Sequence, residues 1–239
     1  MNITPKKQFI DSTRELMNAS NEKQEVVISG VAITTGPEVF NPAIFFSSEW
    51  FANEISKLVH GEKTFVEVGC GTGIVSIKTV IENPEIEIYA TDISPNAAEL
   101  TKINATKNNV AGRIHVYSGD VFERLSPEIR ADSIFWAMPF GYLEPEEVLE
   151  GKDTQTFDPG YRAIKKFFTD SRNHLKEKGR LLIGFSTDIG HFELLEQIAT
   201  KNGFNLKLLK QTKGMEKDSV SMEIYQALPT DILGSNVIH

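Results

Sequence analysis

Apolar positions along the chain fall into two regimes, and the change comes near residue 64. Before it, Phe9, Ile10, Thr13, Leu16 and Met17 recur near helical spacing and predict a short amphipathic helix over Pro5–Ser20. A strand-like run, EVVISGVAIT, starts at Glu25 and leads to a turn at Gly36 and Pro37. Phe45–Val59 predicts a helix carrying Trp50, Phe51, Ile55 and Leu58. From there on, apolar runs begin near Thr64, Ile86, Arg113, Ser133 and Leu181, with helix-like segments between them. This alternation predicts βαβ crossovers, and therefore an α/β domain with a mostly parallel sheet and helices on both faces. The tail breaks the rhythm. Phe204–Leu209 and Ser221–Leu228 are strand-like and joined by the polar stretch QTKGMEKDS, which predicts a terminal antiparallel hairpin. No linker divides the chain, so residues 1–60 read as an N-terminal cap or lid on one domain over 61–239.

Composition narrows the class. With 239 residues, 40% hydrophobic and 24% charged, the chain has the balance of a soluble globular protein, not of a disordered, collagen-like or disulfide-stapled one. Its single cysteine, Cys70, has no partner for an internal disulfide, which points to a reducing compartment. No run approaches the ~18 apolar residues of a membrane span, and MNITPKKQFIDSTRE lacks the apolar core of a signal peptide. The expected location is cytoplasmic. A net charge of -8 argues against a broad electrostatic grip on nucleic acid.

The candidate chemistry centres on VEVGCGTG, Val66 to Gly73, which ends a strand and opens a helix. Gly69, Gly71 and Gly73 let the backbone turn sharply and bring a ligand close to a helix N-terminus. Glycine spacing alone also fits a NAD-binding loop or a plain tight turn. The spacing here is E-x-G-x-G-x-G, which is neither G-x-G-x-x-G nor a P-loop. Asp92, in IYATDISPNAAEL, ends the next strand, where a carboxylate can accept both hydroxyls of a ribose. The alternative is that Asp92 or Ser94 caps the following helix. Asp120, in YSGDVFERL, follows the third strand and can cap a helix or accept from the exocyclic amine of a base.

At these residues the chain resembles the class I S-adenosylmethionine-dependent methyltransferases, over Thr64–Leu228. The resemblance implies a Rossmann-like fold with a seven-stranded sheet, and S-adenosyl-L-methionine as cofactor. It implies that Glu67 and the loop of Gly69, Gly71 and Gly73 hold the methionine part, and that Asp92 binds the ribose. It further implies that Ile93 packs on the adenine, that Asp120 and Val121 read its edge, and that Ala137 borders the cofactor. The segments DSIFWAMPFGYLEPEE, TFDPGYRAIKKFF, KGRLLIGFS and NGFNLKLLK are similar to the group that methylates glutamine amides in release factors and related protein or nucleic-acid amines. In that group the fourth strand ends in Asn-Pro-Pro-Tyr, whereas here Ala137, Met138, Pro139 and Phe140 stand in its place. Ala137 has no side-chain donor or acceptor, so the bidentate grip on an amide nitrogen is lost. The Met138 carbonyl and the Phe140 ring remain to line a pocket, and Met138, Phe140 and Tyr142 are the candidate catalytic positions.

Other groups carry weaker signals. Cys70 reads as packing, and His60, His115, His174, His191 and His239 show no metal-ligand spacing, so no metal is expected. Glu144, Glu146, Glu147, Glu150 and Asp153 read as a solvated lid, and Lys165, Lys166, Arg172, Lys176, Lys178 and Arg180 as a solvated face. Phe40, Asn41, Phe45, Phe46 and Trp50 read equally as a lid over the pocket or as a staple between cap and domain. The expected reaction is methyl transfer to a small molecule or protein side chain, with neither nucleic acid nor membrane as partner. The alternative keeps the fold and makes S-adenosylmethionine the substrate. Its own amine then closes azetidine-2-carboxylate, or a lyase reaction occurs, and methylthioadenosine leaves.

Overall fold

The computed structural model of the chain describes residues 11–15, 22–149, 151–212 and 220–230. Residues 11–15 are helical; the rest of the helix expected over Pro5–Ser20 lies outside the described residues, as does most of the polar stretch between the last two strands. The run from Glu25 is two strands instead of one. β1 (Glu25–Ile28) and β2 (Val31–Thr34) pair antiparallel, with Glu25 opposite Thr34. Ser29 and Gly30 turn the chain at φ 48° and 81°, the pair of positive angles that suits a two-residue hairpin loop.

Helix α1 (Phe46–Leu58) leads into β3 (Thr64–Val68), α2 (Ile74–Glu82), β4 (Glu87–Asp92), α3 (Pro95–Lys107), β5 (Ile114–Ser118) and β6 (Ala131–Ala137). The short strands β7 (Gly141–Leu143) and β8 (Phe157–Pro159) pair parallel with each other. After them come α4 (Arg162–Ser171), β9 (Leu175–Phe185), α5 (Phe192–Lys201), β10 (Phe204–Thr212) and β11 (Met222–Pro229). Among the described residues, seven strands form the main sheet in the order β10-β11-β9-β6-β3-β4-β5. β9, β6, β3, β4 and β5 run parallel, while β11 and β10 close the edge antiparallel.

Each central strand feeds two cores by its period of two. Phe65, Phe135, Leu182 and Ile224 face the layer of α1, α2 and α3, where Phe51, Ile55, Ile77 and Val80 are buried. Their strand neighbours Val66, Ile134, Ile183 and Tyr225 face the layer of α4 and α5, with Ile164, Phe167, Phe168 and Leu195. Runs that are apolar at every position are what a sheet covered on both faces requires. β9 starts six residues before the expected Leu181, because polar side chains there find partners. The Lys176 ammonium donates to both Asp132 oxygens (2.9 and 2.8 Å), and Arg180 donates to Glu62 (3.0 Å) and the Ser133 hydroxyl (3.1 Å).

The β1–β2 hairpin is fastened by two asparagines one turn apart, Asn104 in α3 and Asn108 at its C-terminal cap. Buried Asn104 accepts from the Thr34 N–H (2.8 Å) and donates to the Thr34 and Thr72 carbonyls (3.0 and 2.9 Å). Asn108 accepts from the Ala32 N–H (3.0 Å) and donates to its carbonyl (2.8 Å). The side-chain amides stand in for a neighbouring strand and satisfy backbone groups that would otherwise be buried unpaired. Through Thr72 the same contact reaches the glycine loop.

Candidate cofactor site

β3 and β6 are neighbours, yet the chain leaves β3 towards β4 and β5 on one side and reaches β6 and β9 on the other. A crevice at the carboxyl ends of the strands belongs at such a reversal, and the glycine loop follows β3 there. Gly69 and Gly71 hold φ 67° and 56°. A side chain at Gly69 would put its Cβ 2.8 Å from Nε1 of the Trp136 indole, so only glycine fits. At Gly71 the same position meets nothing within 4 Å, which leaves open space beside the loop. Gly73, at φ 80°, is the N-terminal boundary of α2 and has no side-chain cap.

Asp92 ends β4 and pins this loop. Its Oδ2 accepts from the Gly71 N–H (2.9 Å) and its Oδ1 from the Ser94 N–H (2.9 Å). Burial raises its carboxyl above the usual range against the pull of those two donors. The helix-capping role falls to Ser94, whose hydroxyl accepts from the Ala97 N–H (3.3 Å) with Pro95 opening α3. Glu67 lies deeper. Its Oε2 accepts from the Ser76 N–H (3.0 Å) and the Ser76 hydroxyl, tying β3 to the first turn of α2. Burial pushes the Glu67 carboxyl up to about 8. Cys70 is buried between these elements, receives the Thr101 hydroxyl on its Sγ (3.4 Å) and has its thiol raised by burial.

The third acid stands on the same rim. The Gly119 N–H donates to the Asp92 carbonyl (2.9 Å), and the Asp120 carbonyl accepts from the Glu123 N–H (3.1 Å) to close a turn. Val121 sits at the first corner of that turn with φ 56° and a buried side chain. Positive φ in a β-branched residue costs about 1–3 kcal/mol and persists only where the surroundings enforce it. Lys166 of α4, expected on a solvated face, instead donates to Asp120 Oδ2 (2.5 Å) and to its carbonyl (3.3 Å). Ile93, next to Asp92, is 65% exposed and thus an uncovered apolar side chain beside the loop.

At the end of β6 Ala137 is exposed, and just beyond it Met138 is buried, with the Met138 N–H donating to the Gly184 carbonyl (3.1 Å). The half-buried Phe140 ring meets Phe185 edge-on at 6.0 Å. Tyr142 donates to Glu144 (3.2 Å) and lies edge-on to Tyr161 and His191 at 5.4 and 5.3 Å. Tyr161 organises this loop, and the sequence reading passed it over. Fully buried at φ 52°, it donates its hydroxyl to the Phe140 carbonyl (2.7 Å) and accepts from the His191 N–H (2.8 Å). Asp158 caps α4 beside it, with Oδ1 accepting from Arg162 N–H (2.9 Å) and Oδ2 from Ile164 N–H (3.0 Å). An Asp-Pro-Gly placed just before a helical run was the signal that could have marked it.

Of the acidic run, Glu144, Glu146 and Glu147 are exposed as expected and Glu150 lies outside the described residues, but Asp153 is buried and docked. Arg14 donates Nε and Nη2 to the two oxygens of buried Asp153 (3.0 and 2.8 Å) and lies over the Phe157 ring at 5.4 Å. Gln155 donates to the Glu38 carbonyl (2.5 Å). Of the aromatic segment, Phe40 and Phe45 stack at 4.3 Å, and Phe46 and Trp50 pack against the core that holds Phe51. Asn41 is buried, accepting from the Ala43 N–H (2.9 Å). Among the described residues no cluster of three or more His, Cys, Asp or Glu side chains could hold a metal, and no helix is long and apolar enough to cross a membrane.

Comparison with known proteins gives the family and the fold likeness of the chain. The chain is 31% identical over 158 residues to the release factor glutamine methyltransferase of Aquifex aeolicus, covering 63% of this chain and 55% of that protein. It is 28% identical over 184 residues to the ribosomal RNA small subunit methyltransferase C of Haemophilus influenzae, covering 77% of this chain and 50% of that one. The chain thus spans about half the length of these two relatives. In fold it is similar to Pyrococcus horikoshii TYW2 in complex with MeSAdo, with TM-score 0.60, 14% identity, and 88% of this chain and 73% of that one covered. Residues 30–213 match the family described as methyltransferase small domain, so the chain belongs to that family of S-adenosylmethionine-dependent enzymes.

Proposed function

We propose that this domain binds S-adenosylmethionine at the carboxyl ends of β3, β4 and β5 and methylates a nitrogen on a protein side chain or small molecule held against the loop after β6. The observation that carries this reading is the Asp92 carboxylate, fixed to the Gly71 N–H beside the open space at Gly71. Each Asp92 oxygen takes one backbone donor, and a carboxylate has about four lone-pair sites, so two remain for vicinal hydroxyls. Exposed Ile93 offers an apolar surface to a base, and Asp120 with Val121 offers an acceptor and an N–H to its edge. Glu67 acts on the methionine side through α2, by holding the first turn of that helix against the loop.

When bound, the cofactor supplies an electrophilic methyl group on a sulfonium. The chain's own contribution is positioning and exclusion of water. Both backbone groups nearest the acceptor side are braced, Met138 by Gly184 and Phe140 by Tyr161. With Ala137 offering no side-chain polar group, the Met138 carbonyl and the rings of Phe140 and Tyr142 remain to orient the acceptor. Glu144, Glu146 and Glu147 on the same side, with the net charge of -8, favour a neutral or cationic acceptor over a polyanionic RNA. Within the segment before residue 61, the described stretch ahead of α1, with stacked Phe40 and Phe45, serves as the cap of this site.

The test is incubation with S-adenosylmethionine alone, then with glutamine- and lysine-containing peptides or with ribosomal RNA, separating the sulfur products by chromatography. Peptide-dependent release of S-adenosylhomocysteine is the expected result. RNA-dependent release overturns the acceptor class. Sustained methylthioadenosine release without an acceptor overturns methyl transfer itself in favour of an intramolecular displacement.

A further inference from the structure

Asp120 and Lys166 lie 46 residues apart, yet the ammonium of Lys166 reaches both the Asp120 carboxylate at Oδ2 (2.5 Å) and the Asp120 main-chain carbonyl (3.3 Å). The two contacts fix different things. The first occupies one carboxylate oxygen and leaves Oδ1 as the face offered to a ligand. The second holds the carbonyl of the peptide unit that joins Asp120 to Val121. In a trans peptide the C=O and N–H point to opposite sides, so anchoring that carbonyl on α4 aims the Val121 N–H the other way. That peptide unit adjoins the strained corner, where Val121 is held at φ 56° with its side chain in the core. A strained corner needs several constraints to persist, and the Glu123 N–H on the same carbonyl (3.1 Å) and the Gly119 N–H on the Asp92 carbonyl (2.9 Å) are two more.

We propose that Lys166 is a positioning residue for base recognition, clamping Asp120 so that a carboxylate oxygen and the Val121 N–H form a fixed acceptor–donor pair. This rests on the reading of the slot as an adenosine site. Such a pair is complementary to an edge that presents an amine donor beside a ring-nitrogen acceptor, as adenine does. It mismatches the edge of hypoxanthine, where a carbonyl acceptor stands beside a ring N–H donor, and buried polar groups left unpaired carry the discrimination. Lys166 is half-exposed and touches Asp120 from the helix side, so it acts through Asp120 and not on the ligand.

The experiment compares the calorimetric Kd of S-adenosylhomocysteine with that of its deaminated analogue, S-inosylhomocysteine, for the wild type, Lys166→Met and Lys166→Arg. The wild type is expected to prefer the adenosyl compound by at least about tenfold. Lys166→Met is expected to bring that ratio to within about threefold, and Lys166→Arg, which keeps charged donors in reach, to restore most of it. Should the methionine variant fail to fold, Lys166→Gln is used in its place. Undiminished discrimination in the variant, or equal weakening of both ligands, overturns the role of Lys166 and leaves the adenosine site standing. A wild type that binds neither ligand, or both equally, overturns the reading of the site and the proposal with it.

Discussion

Replacing Glu67 with Gln is expected to flatten the dependence of stability on pH while leaving the glycine loop intact. The carboxyl goes from an ordinary 4.5 to about 8 in the folded chain because it is buried. A group whose pKa is higher when folded binds its proton more tightly in that state. Its favourable contribution is therefore complete below about 4.5 and is lost as the pH rises through about 8. Between those limits the folded state holds one more proton than the unfolded state, and the slope is about 1.4 kcal/mol per pH unit. From about pH 5.5 to about pH 7.5 the wild type should lose roughly 3 kcal/mol relative to the variant. Gln keeps a carbonyl oxygen for the Ser76 N–H and hydroxyl, and it is neutral at every pH. Urea unfolding of both proteins across this range gives the difference directly. Subtraction cancels the other carboxyls raised by burial that do not act on Glu67, namely Glu62, Asp158 and Glu223. Parallel curves for the two proteins would refute the reasoning, since they would mean that Glu67 ionises in the fold as easily as in the unfolded chain.

Two further outcomes concern the slot itself. Asp92→Asn keeps one acceptor oxygen where the native carboxylate serves both the Gly71 and Ser94 N–H groups. It is expected to weaken S-adenosylhomocysteine binding about 10–100-fold, the worth of a hydrogen bond to a charged group, and an unchanged calorimetric Kd removes Asp92 from the site. Gly71→Val adds branches where nothing lies within 4 Å, at φ 56°, so it is expected to fold at reduced stability and lose cofactor binding. A folded variant with native affinity shows that the open space is not the cofactor's.

Much of the fold was legible because it is written in local periods. The β-branched strand VEV before the glycines, the acid that ends IYATD and the two strand-like tail segments each announce an element within a few residues, and each stands where expected. The hairpin of β1 and β2 was missed although the Ser29-Gly30 dipeptide that turns the chain at positive φ is itself a turn signal inside the run. The site divides in the same way. Glycines and acids at strand ends can be read from sequence, since the strand end and the residue type lie side by side. Partners such as Ser76 for Glu67, Asn104 for Thr34 and Tyr161 for Phe140 cannot, because each pair is made by packing between separate elements. Lys166, Lys176 and Arg180 look like part of a solvated face until the fold brings Asp120, Asp132 and Glu62 against them, while Lys165 and Lys178 stay exposed.

Helix α4 ties the two halves of the crevice together. At its entry, Asp158 caps the first turn and Tyr161 holds the Phe140 carbonyl and the His191 N–H, so the loop that follows Ala137 is braced from behind. Five residues later, about 7.5 Å along the axis, Lys166 holds the Asp120 corner. A helix packed through Ile164, Phe167 and Phe168 into the core moves as one body, so both loops share a single reference frame. Ala137 offers no side-chain grip, while the backbone beyond it is held in place.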